Sequence, residues 1–341
     1  MLDCPTRHEL NRGPAREREG YNPSQSKVIL SSMTGRHIGT VAGILLAGIG
    51  CMKANRLVAV QDDVVEMDGG EDAAWGRGPF SAPTVVTLLA NNTTDIHGTS
   101  LTQDELEIYF SCARQGEASF HIWSSTRTAK DAAWLTATMV NEITGIGNDH
   151  DPEVSPNGLT LYFASDRADS GYQLYVSRRT AKGLPWGPPA LVEGQGLSSS
   201  ALDVRGPSVD PSELFMTFCS APRGTENFKL YSASRTAPLA AWENVQELSG
   251  INSNVADADP ALFHDSFSIV WSTRAPSNKS WDLVEVSRSD PSALFSDTPT
   301  RLDSLNTSFS ERYPWVSQDG THILFSREAE GGPGVIYEAW R

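Results

Sequence analysis

Five short stretches of this 341-residue chain set an acid ahead of a variable pair that holds at least one polar residue. They read Asp95-Ile-His97, Asp149-His150-Asp151, Asp203-Val-Arg205, Asp257-Ala-Asp259 and Glu311-Arg312-Tyr313. Three kinds of chemistry are open to them. Two carboxyl groups held about 5–5.5 Å or about 6.5–9.5 Å apart can hydrolyse a glycosidic bond, and Asp151, Glu153 and Asp259 could supply such a pair. His97 and His150 with Asp151 could ligate a metal. These residues come from separate stretches without a tight ligand motif, so no metal is expected. Arg205 and Arg312 could hold a carboxylate or phosphate, or pair with Asp151 or Asp259.

Asp95, Asp149, Asp203, Asp257 and Glu311 occupy the same place in every stretch. A residue that recurs in this way is expected to hold the repeat together, by accepting turn N–H groups or pairing with an Arg. The competing reading is an acidic ring that draws in cations or basic peptide. The residues that vary carry the functional expectation: His97, His150, Asp151, Arg205, Asp259, Arg312 and Tyr313, with Trp315 close by as an aromatic contact. No nucleophile elbow, Walker loop, HExxH or dinucleotide glycine motif appears. No catalytic residue and no cofactor are therefore assigned.

The elements that position these residues are repeats. An alternating strand ends in Tyr109-Phe110, Tyr162-Phe163, Thr217-Phe218, Val270-Trp271 and Leu324-Phe325. A first Arg follows, at 114, 167, 223, 274 and 327, so the unit recurs at 53, 56, 51 and 53 residues. A later strand holds Ile122-Trp123, Leu174-Tyr175, Leu230-Tyr231, Leu283-Val284 and Ile336-Tyr337, and a second Arg follows at 127, 179, 235, 288 and 341. Trp134, Trp186, Trp242 and Phe295 then open a fourth strand. The start of each unit aligns Gly98, Pro152, Pro207, Pro260 and Pro314. Four short strands recurring every 50 residues or so is the mark of a propeller blade. The fifth unit ends at Arg341 without a fourth strand, and Phe80-Ser-Ala-Pro83-Thr-Val-Val86 matches Trp186-Gly-Pro-Pro189-Ala-Leu-Val192. The expected fold is all-β: a five-bladed propeller of four-stranded antiparallel blades over 80–341, closed by an N-terminal strand that completes the last blade. First strands then line a central channel, and the five acidic stretches surround one mouth. The blade aromatics, Trp123 among them, are expected to pack between blades rather than to stack on sugars.

At Ser155–Gly158 (SPNG) and Ser317–Gly320 (SQDG), each followed by a strand, the sequence resembles the WD40-like PD40 repeats of TolB-type bacterial propellers. The corresponding turns LTQDEL, VDPSEL and FHDSF lack the Gly and are expected to be of another type. The resemblance implies a periplasmic or envelope-associated scaffold that binds proteins.

The rest of the chain bears on location. Residues 36–51, RHIGTVAGILLAGIGC, join a basic start to a 13-residue apolar run, too short to span a bilayer and suited to a signal-peptide core. Gly50-Cys51 resembles the end of a bacterial lipobox, with Gly48 where Leu is usual, so lipidation of Cys51 and ordinary cleavage after Gly50 both stay open. Met33 is a plausible start, which makes 1–32 an unstructured or mis-called extension, 33–51 the leader, and 52–79 an acidic linker. Cys112 and Cys219 fall in non-adjacent blades, and no disulfide is expected between them. The net charge of −15 becomes −17 without the first fifty residues. That excludes a phosphate-backbone partner. The expectation is an exported, non-catalytic monomer, periplasmic, lipid-anchored at the outer membrane or secreted. It touches a membrane only through the anchor and binds a protein or cell-wall glycan at the channel mouth. A carbohydrate-active hydrolase using the channel carboxylates is the alternative.

Overall fold

A computed structural model describes residues 78–88, 95–114, 119–168, 170–263, 267–274, 280–290, 293–329 and 332–341. The expected extension, the leader with Cys51, and the linker as far as residue 77 lie outside the described residues.

Among the described residues, twenty strands form five antiparallel sheets of four. Blade 2 runs Asp149–Val154, Thr160–Ser165, Gln173–Arg178 and Ala190–Leu191, from axis to rim. Blades 1, 3 and 4 repeat this order, and their inner strands are Asp95–Leu101, Leu202–Val209 and Asp257–Leu262. In blade 5 the sheet order is Thr84–Val85, Gly334–Trp340, His322–Glu328 and Ser310–Val316, so the earliest strand is the outermost. Thr84 pairs with Glu338 and Val85 with Tyr337. The ring closes as expected, and the edge of the Gly334–Trp340 strand is covered where it would otherwise be open to another chain.

The core is divided among five seams. Strand residues alternate between the seams on either side. In Thr160–Ser165, Leu161 and Phe163 pack toward blade 1 with Tyr109 and Ile122. Tyr162 and Ala164 pack toward blade 3 with Val204 and Phe218. The other three seams gather around Trp271, Phe263 and Phe110. Because both faces are covered, this strand is buried along its whole length. Cys112 and Cys219 are buried in the second strands of blades 1 and 3.

The second Arg of each repeat clamps its blade. Its Nε donates to a carbonyl in the turn between the first two strands: Arg127 to Glu105, Arg179 to Gly158, Arg235 to Glu213 and Arg341 to Gly320. The guanidinium lies 4.1–4.5 Å over the fourth-strand aromatic of its own blade: Trp134, Trp186, Trp242, Phe295 and, for Arg341, Phe80. Phe80 therefore does in blade 5 what Trp186 does in blade 2.

Two of the glycine-free turns differ from expectation. They keep the geometry of SPNG and SQDG. Glu105 and Glu213 adopt φ of 54° where Gly158 and Gly320 have 72° and 68°, and each N–H closes the same turn onto Thr102, Ser155, Asp210 or Ser317. The third such turn, at 263–267, is only partly described. A left-handed residue with a Cβ costs about 1–2 kcal/mol. Here the side chain offsets the strain by bridging to the neighbouring blade. Glu213 accepts from Thr160 Oγ1 (3.2 Å) and Tyr162 Oη (3.1 Å) and pairs with the buried Arg235 (3.4 Å). Glu105 meets Lys130 at 2.8 Å and His322 of blade 5 at 3.2 Å. His322 lies between Glu105 and Glu338. Burial works against its protonation, but the two carboxylates outweigh burial and raise its pKa. Glu213→Gly should relieve the backbone yet orphan Arg235, for a net loss of about 2 kcal/mol in denaturant unfolding. No loss would mean that the bridge is dispensable.

Candidate binding site at the channel mouth

Every inner strand carries one β-bulge, and the bulged residue is left-handed: Gly98, Asp151, Gly206, Asp259 and Tyr313, with φ between 49° and 57°. This moves one alignment. Gly98 is the counterpart of Asp151 and Gly206, so Thr99, not Gly98, stands where Pro152, Pro207, Pro260 and Pro314 stand. Bulges re-aim side chains, and here they sort the mouth into tiers. His97, His150, Arg205, Ala258 and Arg312 precede the bulge, and Asp151, Asp259 and Tyr313 sit on it.

The five recurrent acids are committed to structure. Asp149 accepts from Gly145 N (3.2 Å) and Arg167 (2.7 Å). Asp203 accepts from the N–H groups of Tyr172 and Gly224. Asp257 takes the Ser253 N–H and the Trp271 indole, and Glu311 takes Thr307 N and Arg327 Nε. Asp95 accepts from Gly334 N (2.7 Å) and His97 Nε2 (2.6 Å). In blades 2 to 5 the carboxylate closes a turn, in two of them it also binds the blade's first Arg, and in blade 1 Asp95 joins its strand to blade 5.

The variable residues come together in one chain of ring contacts. Phe228 lies 5.7 Å from the Arg205 guanidinium, which sits 3.5 Å over Tyr172. Tyr172 meets His150 at 5.6 Å, His150 meets Phe120 at 4.5 Å, and Phe120 meets His97 at 5.0 Å. His97 stacks on Tyr313 at 5.1 Å, and Arg312 lies 4.5 Å over Tyr313 and 4.3 Å over Trp281. The contacts fix the cations without neutralising them. Sequence reasoning named the His and Arg members and Tyr313, saw Trp281 only as an aromatic that breaks the repeat, and missed Phe120, Tyr172 and Phe228. A signal was present: each of the four stands at or just before the third strand of its repeat. Trp315 sits deeper than the ring, 5% exposed, in the seam between blades 5 and 1, with one side on the channel wall.

The mouth carboxylates differ in state. Asp259 is held by Arg312 through two contacts, 3.0 Å from Nε and 3.4 Å from Nη2. Glu153, one layer below, accepts from Ser100 Oγ (2.9 Å), Ser208 Oγ (3.3 Å) and Val209 N (3.2 Å), tying blades 1, 2 and 3. Burial pushes its pKa up to about 7 against those bonds. Among the described residues the Asp151 carboxylate has one bond, from Gly206 N at 3.3 Å, and its Oδ1 is buried without a partner. Burial, then the charge of Asp259, push its pKa up to about 6 against Arg205 and Arg312. His150 is held neutral: burial first, then Arg205, His97 and Arg312, keep its pKa well below the ordinary value.

Below the mouth the channel encloses about 40 Å³. That is room for a few waters and far less than the roughly 300–1,000 Å³ of a typical small-molecule pocket. The roomier groove of about 400 Å³ lies at the rim between blades 1 and 2, against the Arg179–Trp186 clamp. A counterpart of about 190 Å³ lies one seam on, so both belong to the repeat.

No family model matches the sequence, and no curated protein matches it. Solved structures do. An endo-arabinase from Bacteroides thetaiotaomicron superposes with a TM-score of 0.50 at 12% identity, over 77% of this chain and 97% of that one. TolB from Acinetobacter baumannii gives a TM-score of 0.42 at 14% identity, over 72% of this chain and 54% of that one. An α-L-arabinofuranosidase from Podospora anserina gives 0.43 at 12%, over 80% and 93%. At these identities the likeness is one of fold. The chain is a five-bladed propeller, and propellers serve binding proteins and glycoside hydrolases alike. The choice between those roles falls to the mouth residues.

Proposed function

We propose that this chain is a PD40-type binding protein of the bacterial cell envelope that engages a cell-wall or protein partner at the channel mouth without turnover. The observation that carries this reading is the state of the carboxylates. Glycoside hydrolysis needs two working carboxyl groups. Asp259 is tied to Arg312, both oxygens of Glu153 are occupied, and of these three only Asp151 keeps an oxygen without a partner. The narrow channel leaves no room for a sugar ring below the mouth. The hydrolase reading keeps one point in its favour, since the pKa of Asp151 is raised as a general acid requires. It lacks the second group. The basic-apolar run at 36–51 supports export, by lipidation at Cys51 or by cleavage after Gly50.

The test uses the mature chain isolated from the envelope, with its N-terminus expected at or just after Cys51. It is incubated with a soluble cell-wall digest and with arabino-, xylo- and cello-oligosaccharides. The digest should raise the melting temperature of the wild type and not that of Arg205→Gln, with no new reducing ends. Product release abolished by Asp151→Asn would replace the binding reading with the hydrolase one.

A further inference from the structure

The mouth holds two opposite charges that do not neutralise each other. Asp151 is 7% exposed, and its Oδ1 has no hydrogen-bond partner. Arg205 is partly exposed and fixed by the Tyr172 and Phe228 rings. Its Nε is buried and unbonded, and among the described residues no carboxylate lies within ion-pair distance of it. Each group alone is costly. A buried charge stripped of hydrogen bonds loses hydration that nothing in the fold returns. The neighbouring charges do not repair this. Arg312 is spent on Asp259, and His150 is neutral. The recurrent acids Asp149, Asp203, Asp257 and Glu311 and the first Arg residues Arg167 and Arg327 all find partners, whereas Asp151 and Arg205 stand on adjacent strands of blades 2 and 3 without an ion pair.

A ligand that satisfies both groups must present an anion to Arg205 and a cationic donor to Asp151, whose charges already sense each other across the mouth. The channel below admits only a head group, so the rest of the ligand stays above it, beside the Phe120, Tyr172 and Phe228 rings. We propose that the mouth binds a small zwitterion, its carboxylate on Arg205 and its ammonium on the Asp151 carboxylate, with an α-amino acid as the simplest form. This assignment rests on the mouth-binding reading above and narrows it. A plain carboxylate would leave Asp151 unsatisfied, and a plain amine would leave Arg205 so. A zwitterion satisfies both and adds no net charge to the site.

The experiment is calorimetric titration of the full chain with the standard L-amino acids. For each amino acid that binds, the N-acetyl derivative, which lacks the ammonium, and the decarboxylated amine are titrated as well. At least one free amino acid should bind, and each blocked form should bind about tenfold or more weakly, the worth of one charged hydrogen bond. Arg205→Gln and Asp151→Asn should each cost a similar factor. Affinity should fall as pH drops below about 6, where Asp151 takes up a proton. The charged and titratable groups facing it are Asp259, Arg205, Arg312, Tyr172, Tyr313 and Cys219, and His150, next to it in the strand, is neutral there already. An N-acetyl form that binds as well as its parent would make the mouth a simple anion site and overturn the proposal. Binding by none of the amino acids would overturn it too. If the cell-wall digest still stabilises the wild type but not Arg205→Gln, the mouth remains a binding site and only the zwitterion assignment fails.

Discussion

Phe80→Ala should lower the unfolding free energy of this propeller by about 3–5 kcal/mol, the usual loss for a large aromatic removed from a packed core. The residue is 3% exposed and belongs to the seam of blades 4 and 5 with Phe263, Leu283 and Phe325. It also carries the Arg341 guanidinium, 4.3 Å above its ring. The effect should exceed simple loss of packing, because Phe80 anchors the closing strand. Ser81 and Val86 donate to the carbonyls of Trp340 and Ile336, and Val86 and Leu88 pack on the other side against blade 1. Once the anchor is loose, the Gly334–Trp340 strand becomes an open edge able to pair with another chain. Denaturant unfolding followed by size-exclusion chromatography reads both results: a lower midpoint, and oligomer at concentrations where the wild type is expected to be a monomer. A loss below about 1 kcal/mol would mean that the ring does not depend on this closure.

Arg312→Met should cost a similar amount for a different reason. The variant keeps the side-chain length but leaves Asp259 buried, facing Asp151, with no countercharge. Breaking a buried pair on one side typically costs about 3–5 kcal/mol. Removing both charges in Asp259→Asn/Arg312→Met should restore most of that loss, since the penalty lies in the orphaned carboxylate. The single variant should also recover on acidification, as Asp151 takes up a proton and its repulsion of Asp259 falls away. Stability curves at neutral and acidic pH for the wild type, both single variants and the double variant decide the matter. A double variant no more stable than Arg312→Met alone would make Arg312 a packing residue, held by Trp281 and Tyr313 rather than by charge.

How far the molecule could be read from its sequence depends on the range of each constraint. The blades were legible because each repeat carries its own signature. The Arg–aromatic clamp is local to a blade, so Arg179 with Trp186 and Arg341 with Phe80 could be matched by pattern alone. The left-handed Glu105 and Glu213 were not legible. A turn without Gly reads as a different turn unless the side chain has a reason to accept the strain, and that reason lies on the adjoining blade, in Tyr162 for Glu213 and His322 for Glu105. Gly98 was misaligned because a bulge adds a residue to one strand only, and spacing alone does not say where. The recurrent acids were read correctly as turn-closers, since carboxylates that repeat with the backbone serve the backbone. The individuality of the mouth lies in contacts such as Phe120 to His150 and Arg205 to Tyr172, made between the third strand of one repeat and the first of the next.

The claim that function resides at the mouth is open to direct measurement by hydrogen exchange, read by mass spectrometry, on the full chain with and without the soluble cell-wall digest. The expected result is protection confined to peptides covering 95–99, 149–153, 172–174, 203–207 and 311–315, with the outer strands at Ala190–Leu191 and Glu243–Glu247 unchanged. Protection along the outer strands or at the turns around Glu105 and Glu213, with the mouth peptides unaffected, would contradict it.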